Sequence, residues 1–304
     1  MGSREELERG AVEIELREWR EGDLDWLVGL LTSWDPRDTA DSIRSRMTSG
    51  RSSRTRYVAC VDRVAVGYAS HRLPSADESV AVALVLVEPS ARAQGVGSRL
   101  FRRVSEDFGP HPVLCVVPDD DDRSLAVAQR WGFEPTLRTG VRRLALGSLP
   151  PEPERREGIS VRTVVDRDLA ASDLDPEPLL RASSTNPEAS DGLPFALGYV
   201  RQSNPGFLWV VAVEADEPVA CCLVDVTDSD VAEVLFTGVA PAARRRGLGR
   251  LVKEHAHAEA FARGARSLVA DNDERNLAVV ALNESLGYRR TGGEVSMVRS
   301  PAVR

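Results

Sequence analysis

Two hexamers of one pattern, R-x-x-G-x-G, stand at 92–97 (RAQGVG) and 244–249 (RRRGLG), with Gly95 and Gly247 152 positions apart in a chain of 304 residues. A repeat at half the chain length constrains the fold more than any local pattern. A period of about 150 is far longer than the roughly 20–50 residues of a solenoid repeat, and each half is the size of a domain. The expected architecture is therefore a duplicated domain, 1–148 and 159–304. Residues 149–158, part of the proline-, glycine- and charge-rich run GSLPPEPERREG (147–158), read as a linker without apolar period.

The halves match piece by piece. VEIELREWREGDLDWL (12–27) parallels GISVRTVVDRDLAASDL (158–174), each an apolar alternation followed by an acid, Asp23 or Asp168, at a helix start. The next stretch is variable, and in the second half PEP (176–178) and NPEASDGLP (186–194) predict an irregular connection. Hairpins follow, YVACVDRVAVGYAS (57–70) turning at Asp62-Arg63 and LWVVAVEADEPVACCLVDV (208–226) turning at 215–218. A third strand in each half (79–89 and 230–241) runs into the hexamer and a helix. A further strand comes next, then a helix stopped at Gly132 or Gly287, then a pair of short strands. The order β-α-β-β-β-α-β-α-β-β, twice, is a mixed α/β plan with helices flanking a sheet.

Composition narrows the partners. Apolar residues make up 42% of the chain, enough for two cores, and a net charge of −8 argues against nucleic acid as the main partner. No apolar run approaches the roughly 18 residues of a membrane span, and the charged N-terminus lacks the apolar core of a signal peptide. Cys60, Cys115, Cys221 and Cys222 lack metal-ligand spacing and suit buried thiols, so a cytoplasmic, reducing location without a metal is expected. Lys253 is the sole lysine, and Ile14, Ile43 and Ile159 are the sole isoleucines. Both residue types have AT-rich codons, which points to a GC-rich genome.

A strand ending in V-x-P, then R-x-x-G-x-G, then an amphipathic helix, is a physical anion site. Glycine lets the chain turn tightly and lets backbone N–H groups converge, and the helix presents the positive end of its dipole to the same spot. Arg244, Arg245 and Arg246 add charge, and a pyrophosphate is the natural occupant. The plain alternative is a helix entry beside a solvated arginine run. A dinucleotide-binding fingerprint does not fit, because it needs G-x-G-x-x-G after the first strand and these hexamers follow the fourth.

VAPAARRRGLGRL (239–251) with NDERNLAVVALNESLGY (272–288), and VEPSARAQGVGSRL (87–100) with DDRSLAVAQRWGF (121–133), resemble the GNAT superfamily of N-acetyltransferases, as a tandem pair covering nearly the whole chain. The resemblance implies acetyl-CoA as cosubstrate. Its pyrophosphate would lie on the amides of Arg92, Gln94, Gly95, Val96 and Gly97, and of Arg244, Arg245, Arg246, Gly247, Leu248 and Gly249. Its pantetheine arm would pair with a strand that splays open near Val87 and Val239. The cofactor-contacting asparagine of the family corresponds to Asn276.

Acetyl transfer to an amine needs a group that takes the amine's proton. Glu233, six residues before Val239, occupies the position of the glutamate base in the histone-acetyltransferase branch; the first half has Ala81 there. The plain alternative for Glu233 is an edge glutamate in solvent. The tyrosine that many members place four residues before the glycine of G-F is replaced by Asn283 and Ala128, which leaves water, Ser285 or Tyr288 as proton donor, or no donor at all, since a CoA thiolate is a good leaving group. Asp121 replaces Asn276 in the first half, within an acidic run (119–122) that suits a helix cap and not a polyanion site. His255 and His257, two apart on one helix, fall on different faces and suit packing or surface roles.

The expectation is a small-molecule or peptide amine N-acetyltransferase, monomeric or homodimeric, with the second half catalytic and the first degenerate. A non-catalytic acyl-CoA-binding protein is the alternative. Within the enzyme class, the size and duplication also resemble the mycothiol synthases, tandem members whose second domain is the active one.

Overall fold

The structure is a computed structural model, and it describes residues 13–34, 39–48, 54–74, 80–147, 150, 153–184, 197, 200–201, 206–226 and 230–301. The expected interruption at 186–194, and the acids Asp77 and Glu78, lie outside the described residues. The chain divides into two compact units. Unit 1 comprises Met1–Val116, Ala126–Pro135 and Ser296–Arg304, and unit 2 comprises Val117–Leu125 and Thr136–Val295.

Unit 1 is built on β1 (Ile14–Glu18), β2 (Thr55–Val61), β3 (Val64–Arg72), β4 (Ala81–Val87) and β5 (Val113–Pro118), in that order. The pairings are antiparallel except β4 with β5, which is parallel. Helices α1 (Leu24–Trp34) and α2 (Ala40–Thr48) pack Leu27, Leu31 and Ile43 with Tyr68 of β3. Helix α3 (Val96–Ser105) buries Val96, Leu100, Phe101 and Val104 at the i, i+4, i+5, i+8 spacing of an amphipathic helix. The chain continues through α4 (Asp122–Arg130) and β6 (Glu134–Ala145).

Unit 2 contains β7 (Ile159–Val165), α5 (Glu177–Ser184), β8 (Leu208–Glu214), β9 (Glu217–Asp225), β10 (Val231–Val239), α6 (Leu248–Ala262), β11 (Ser267–Asp273), α7 (Leu277–Ser285) and β12 (Arg289–Arg299) as far as Val295. Its sheet order is β12-β6-β11-β10-β9-β8-β7. Leu248, Leu251, Val252 and Ala256 of α6 pack on Ala220, Cys222 and Val224 of β9. On the opposite face Leu179 and Leu180 of α5 pack with Trp209, Cys221 and Leu223.

Both hairpins turn where expected. Asp62 and Arg63 have φ of 49° and 65°, and Ala215 and Asp216 have 48° and 65°, the paired left-handed residues of a type I′ turn. Gly132 and Gly287 end their helices at φ 86° and 92°. Three details differ from expectation. PEP (176–178) starts α5 instead of breaking the chain, with Leu180 N donating to Pro176 O at 3.1 Å, because proline is tolerated at a helix start.

Each half ends in one long strand, β6 or β12, and not in two short ones. Gly140 and Gly293, within these strands, are close-approach positions. A Cβ on Gly140 would collide with Glu274 Oε1, and one on Gly293 with Asp119 Oδ2.

The units also do not divide at 149–158. Strand β6, from the first half of the sequence, belongs to unit 2 from Thr136 onward, in antiparallel register with β11 from Ser267↔Ala145 to Asp273↔Thr139. Leu144 and Leu146 thereby enter the core of unit 2.

Candidate active site

The two hexamers adopt the same backbone. Each follows a short 3-10 turn, Pro89–Ala91 or Pro241–Ala243. Ala93 and Arg245 both have φ 64°, and Gly95 and Gly247 have φ 85° and 76° as the N-caps of α3 and α6. Arg92 Nε donates to Val87 O at 3.1 Å and Arg244 Nε to Val239 O at 3.3 Å, so the first arginine of each hexamer fastens the loop to the end of its strand. Val96 and Leu248 are buried beneath the loops. Left-handed residues at both positions turn the backbone so that the first N–H groups of the helix, which have no partner within it, face outward. This conformation fits a phosphate group, and a Cβ at either N-cap glycine would strain it.

The strand before each loop parts from its parallel neighbour. β10 pairs with β11 only from Val231↔Ser267 to Val234↔Ala270, whereas its ladder with β9 continues to Val239↔Ala220. A register shift between Val234 and Phe236 marks a bulge where the parting begins. In unit 1, β4 meets β5 only at Ala81↔Val113 and Val82↔Leu114, while its ladder with β3 runs to Val87. Each unit thus has a wedge between two parallel strands, opening toward its loop.

Glu233 lies just before the bulge. It stands opposite Asp225 on β9 and Val269 on β11, and Val269 stands opposite Arg143 on β6. Val234 belongs to the core under α6, so Glu233 takes the other face, the one that carries α5. Glu233 is exposed, whereas Ala81 in unit 1 is fully buried.

Tyr288 is fully buried and does not sit on that face. Its hydroxyl is 2.9 Å from His257 Nε2, its ring lies 5.1 Å from Lys253 Nζ, and it packs with Cys222 in the core under α6. Burial raises its pKa well above the ordinary phenol value. A phenol enclosed in this way is out of reach of a reacting thioester, so Tyr288 is corrected from a candidate proton donor to a core residue. Asn283 is also fully buried, with Nδ2 donating to Asn272 Oδ1 at 2.5 Å. Ser285 Oγ donates to Leu282 O at 2.7 Å and accepts from Arg250 Nη2 at 2.6 Å.

Asn276 caps α7, accepting from Val279 N at 3.3 Å. Asp121 does the same for α4, accepting from Ser124 N at 2.9 Å. The acidic run therefore acts as a helix start, and Asp119 pairs with Arg290.

Sequence reasoning gave Lys253 no role and His257 only a packing or surface role, and both lie close to these features. Lys253 is fully buried on α6, and burial lowers its pKa below the ordinary lysine value. His257, one helical turn on, is held down to about 3 by burial and then by the charge of Lys253. Their i, i+4 spacing on the buried stripe of α6 was the available signal. Arg156, in the segment read as a linker, donates through Nη1 to the carbonyl of Arg246. Among the described residues no group of three or more His, Cys, Asp or Glu could hold a metal, and no helix is long and apolar enough to cross a membrane.

Comparison with known proteins agrees with this geometry. The sequence profile of the Acetyltransferase (GNAT) family matches twice, over residues 13–133 and 175–288. The mycothiol acetyltransferase of Geodermatophilus obscurus is 29% identical over 235 residues, which is 72% of this chain and 74% of that protein. That of Actinosynnema mirum is 27% identical over 266 residues, 84% of this chain and 87% of its own. Among solved structures, a GCN5-related N-acetyltransferase from Sphaerobacter thermophilus superposes with a TM-score of 0.73 at 19% identity, covering 95% of this chain and 97% of its own. A tandem GNAT protein from the clavulanic acid biosynthesis pathway gives 0.72 at 18%, covering 96% and 100%. With two matched segments, each carrying a parted strand pair and a glycine loop at a helix N-terminus, this chain belongs to the Acetyltransferase (GNAT) family and is a tandem N-acetyltransferase.

Proposed function

We propose that the chain transfers an acetyl group from acetyl-CoA to a primary amine of a small molecule, and that unit 2 does the chemistry. The observation that carries this reading is Glu233, an exposed carboxylate immediately before the bulge at which β10 parts from β11. Unit 1 keeps an equivalent loop and wedge but has a buried alanine in that place, so it is proposed to bind or shape without catalysing.

Acetyl-CoA, when bound, supplies an activated thioester; the remaining work falls to the chain. The amides of Arg244 to Gly249 hold the pyrophosphate at the positive end of α6. The edge of β10 from Leu235 to Val239 offers backbone groups along the wedge. Glu233 takes the proton that the amine must lose as its nitrogen bonds to the acetyl carbon, directly or through one water. The sulfur–carbon bond breaks, and the thiolate takes its proton from solvent, since neither Asn283 nor Tyr288 is placed to give one.

The acceptor we propose is the amine that becomes mycothiol on acetylation. The supporting observation is that relatives bearing the mycothiol acetyltransferase name align over most of this chain, across both halves. A steady-state assay of CoA release with that amine, a panel of other small amines and a peptide panel tests both parts. The highest kcat/KM is expected on the mycothiol precursor. Preference for another small amine would overturn the acceptor alone, and no turnover on any amine would overturn the enzymatic reading.

A further inference from the structure

The segment that joins the two sequence halves places an arginine on the second phosphate loop. Arg156 lies between the two segments matched by the family profile, 13–133 and 175–288, so membership of the family assigns it no role. Its own carbonyl accepts from Ile159 N at 3.1 Å, which fastens it to the start of β7. Ile159 stands opposite Glu214 in the β7–β8 ladder, and Glu214 binds the guanidinium of Arg246 through two bonds of 2.8 and 2.6 Å. One register position at the corner of the sheet thus holds the loop from two sides. Glu214 grips the side chain of Arg246, and Arg156 grips its carbonyl.

The Arg156 guanidinium lies against Gly247. A Cβ there would meet Arg156 Nη2 at 2.7 Å, Nη1 at 2.9 Å and Cζ at 3.1 Å. In unit 1 a Cβ on Gly95 would meet nothing within 4 Å among the described residues. Two of the loop's own arginines are already held, Arg246 by Glu214 and Arg244 through its Nε by the Val239 carbonyl. Arg156 differs. Its Nη2 donates to Glu154 Oε2 at 3.5 Å, a long contact to a mostly exposed carboxylate, and among the described residues its buried Nε has no hydrogen-bond partner. A guanidinium carries five donors, and the Arg246 carbonyl and Glu154 use only part of them. A cation with donors to spare, fixed beside the N-terminus of a 15-residue helix at a left-handed glycine, is the arrangement that grips a phosphate in a charge-assisted, bidentate way.

We propose that Arg156 is a binding residue for the pyrophosphate of acetyl-CoA in unit 2, supplied by the segment between the repeats. This rests on the reading of the 244–249 loop as the pyrophosphate site. The two ideas separate by experiment in the full-length chain, with acetyl-CoA and its 3′-dephospho analogue as probes in calorimetry and in steady-state kinetics. Arg156→Ala is expected to weaken binding at the unit 2 site by about tenfold, the worth of one good charged contact. The penalty should be the same with both probes and fall on the KM for acetyl-CoA with kcat kept. Arg156→Lys should recover part of it.

Unchanged affinity in Arg156→Ala would overturn the proposal. Tighter binding would also overturn it, because the guanidinium would then be a plug that the cofactor displaces. A penalty that disappears with the dephospho analogue would move the contact to the 3′-phosphate and overturn the assignment to the pyrophosphate. Gly247→Asp serves as the control on the underlying reading. It should remove binding at unit 2, and if it binds as wild type the loop itself is not the site.

Discussion

His257 Nε2 and the Tyr288 hydroxyl lie 2.9 Å apart inside unit 2, and Lys253 sits over the same ring, so three ionisable side chains share a core with Cys222. Burial and the neighbouring lysine hold His257 down to about 3. Below the ordinary histidine value the unfolded chain binds a proton that the folded chain refuses. The resulting stability is fully present above about pH 6.5 and is lost as pH falls toward 3, with a slope of up to about 1.4 kcal/mol per pH unit. Urea midpoints of wild type and His257→Gln between pH 4 and 7.5 check this. The wild type should lose more stability on acidification than the variant, and parallel curves would show that His257 is protonated in the fold.

Lys253 behaves in the same sense at higher pH. Its folded pKa lies below the ordinary lysine value through burial, so between the two values the unfolded chain holds a proton that the folded chain gives up. Stability should therefore rise as pH climbs toward about 10.4, and Lys253→Met should flatten that rise while matching or exceeding wild type at pH 7. Methionine keeps the length of the side chain and removes the ionisation. A variant less stable than wild type at every pH would mean that the ammonium is charged and held by a partner.

Glu233→Gln keeps the shape of the side chain and removes its basicity. The expected loss in kcat is about 10²–10⁴-fold, with the acetyl-CoA Kd unchanged, because the carboxylate faces away from the side that carries α6 and the phosphate loop. The rising limb of the pH–rate profile should shift or vanish in the variant. A variant with wild-type kcat across pH would leave Glu233 as an edge residue only.

The parts of this molecule legible in sequence were those encoded within a few residues. R-x-x-G-x-G specifies a left-handed turn into a helix, and Asp62-Arg63 and Ala215-Asp216 sit between apolar alternations that can only fold back. Partners distant in sequence were not legible. Asp168 looked like the second helix-start acid. It does lie in the first turn of a 3-10 helix, but the buried acid of that turn is Asp166, accepting from Trp209 Nε1 at 2.8 Å and from Arg201, an acceptor role set by residues more than 30 positions away. Gly140 carried no signal in sequence, and its need for space comes from Glu274, far along the chain. Arg156 reads as linker charge because its partner, the carbonyl of Arg246, leaves no mark in composition. In the site, Glu233 was named only by the family resemblance, and the burial of Tyr288 could not be read from the sequence.

The membership of β6 in unit 2 carries a consequence for dissection of the chain. A fragment spanning 159–304 retains β11 but loses Thr139–Ala145, which pair with it residue by residue, and loses Leu144 and Leu146 from the core. The exposed edge of β11 and a gap the size of two leucine side chains, each costing about 2–5 kcal/mol when removed from a core, are comparable to the about 5–15 kcal/mol that holds a whole domain folded. The fragment should therefore be insoluble or lack slow-exchanging amides in β11, whereas 134–304, which restores β6, should recover protection at Leu268, Val269 and Ala270. Hydrogen exchange on the two fragments reads this directly, and equal protection in both would mean that β6 adds nothing to the stability of unit 2.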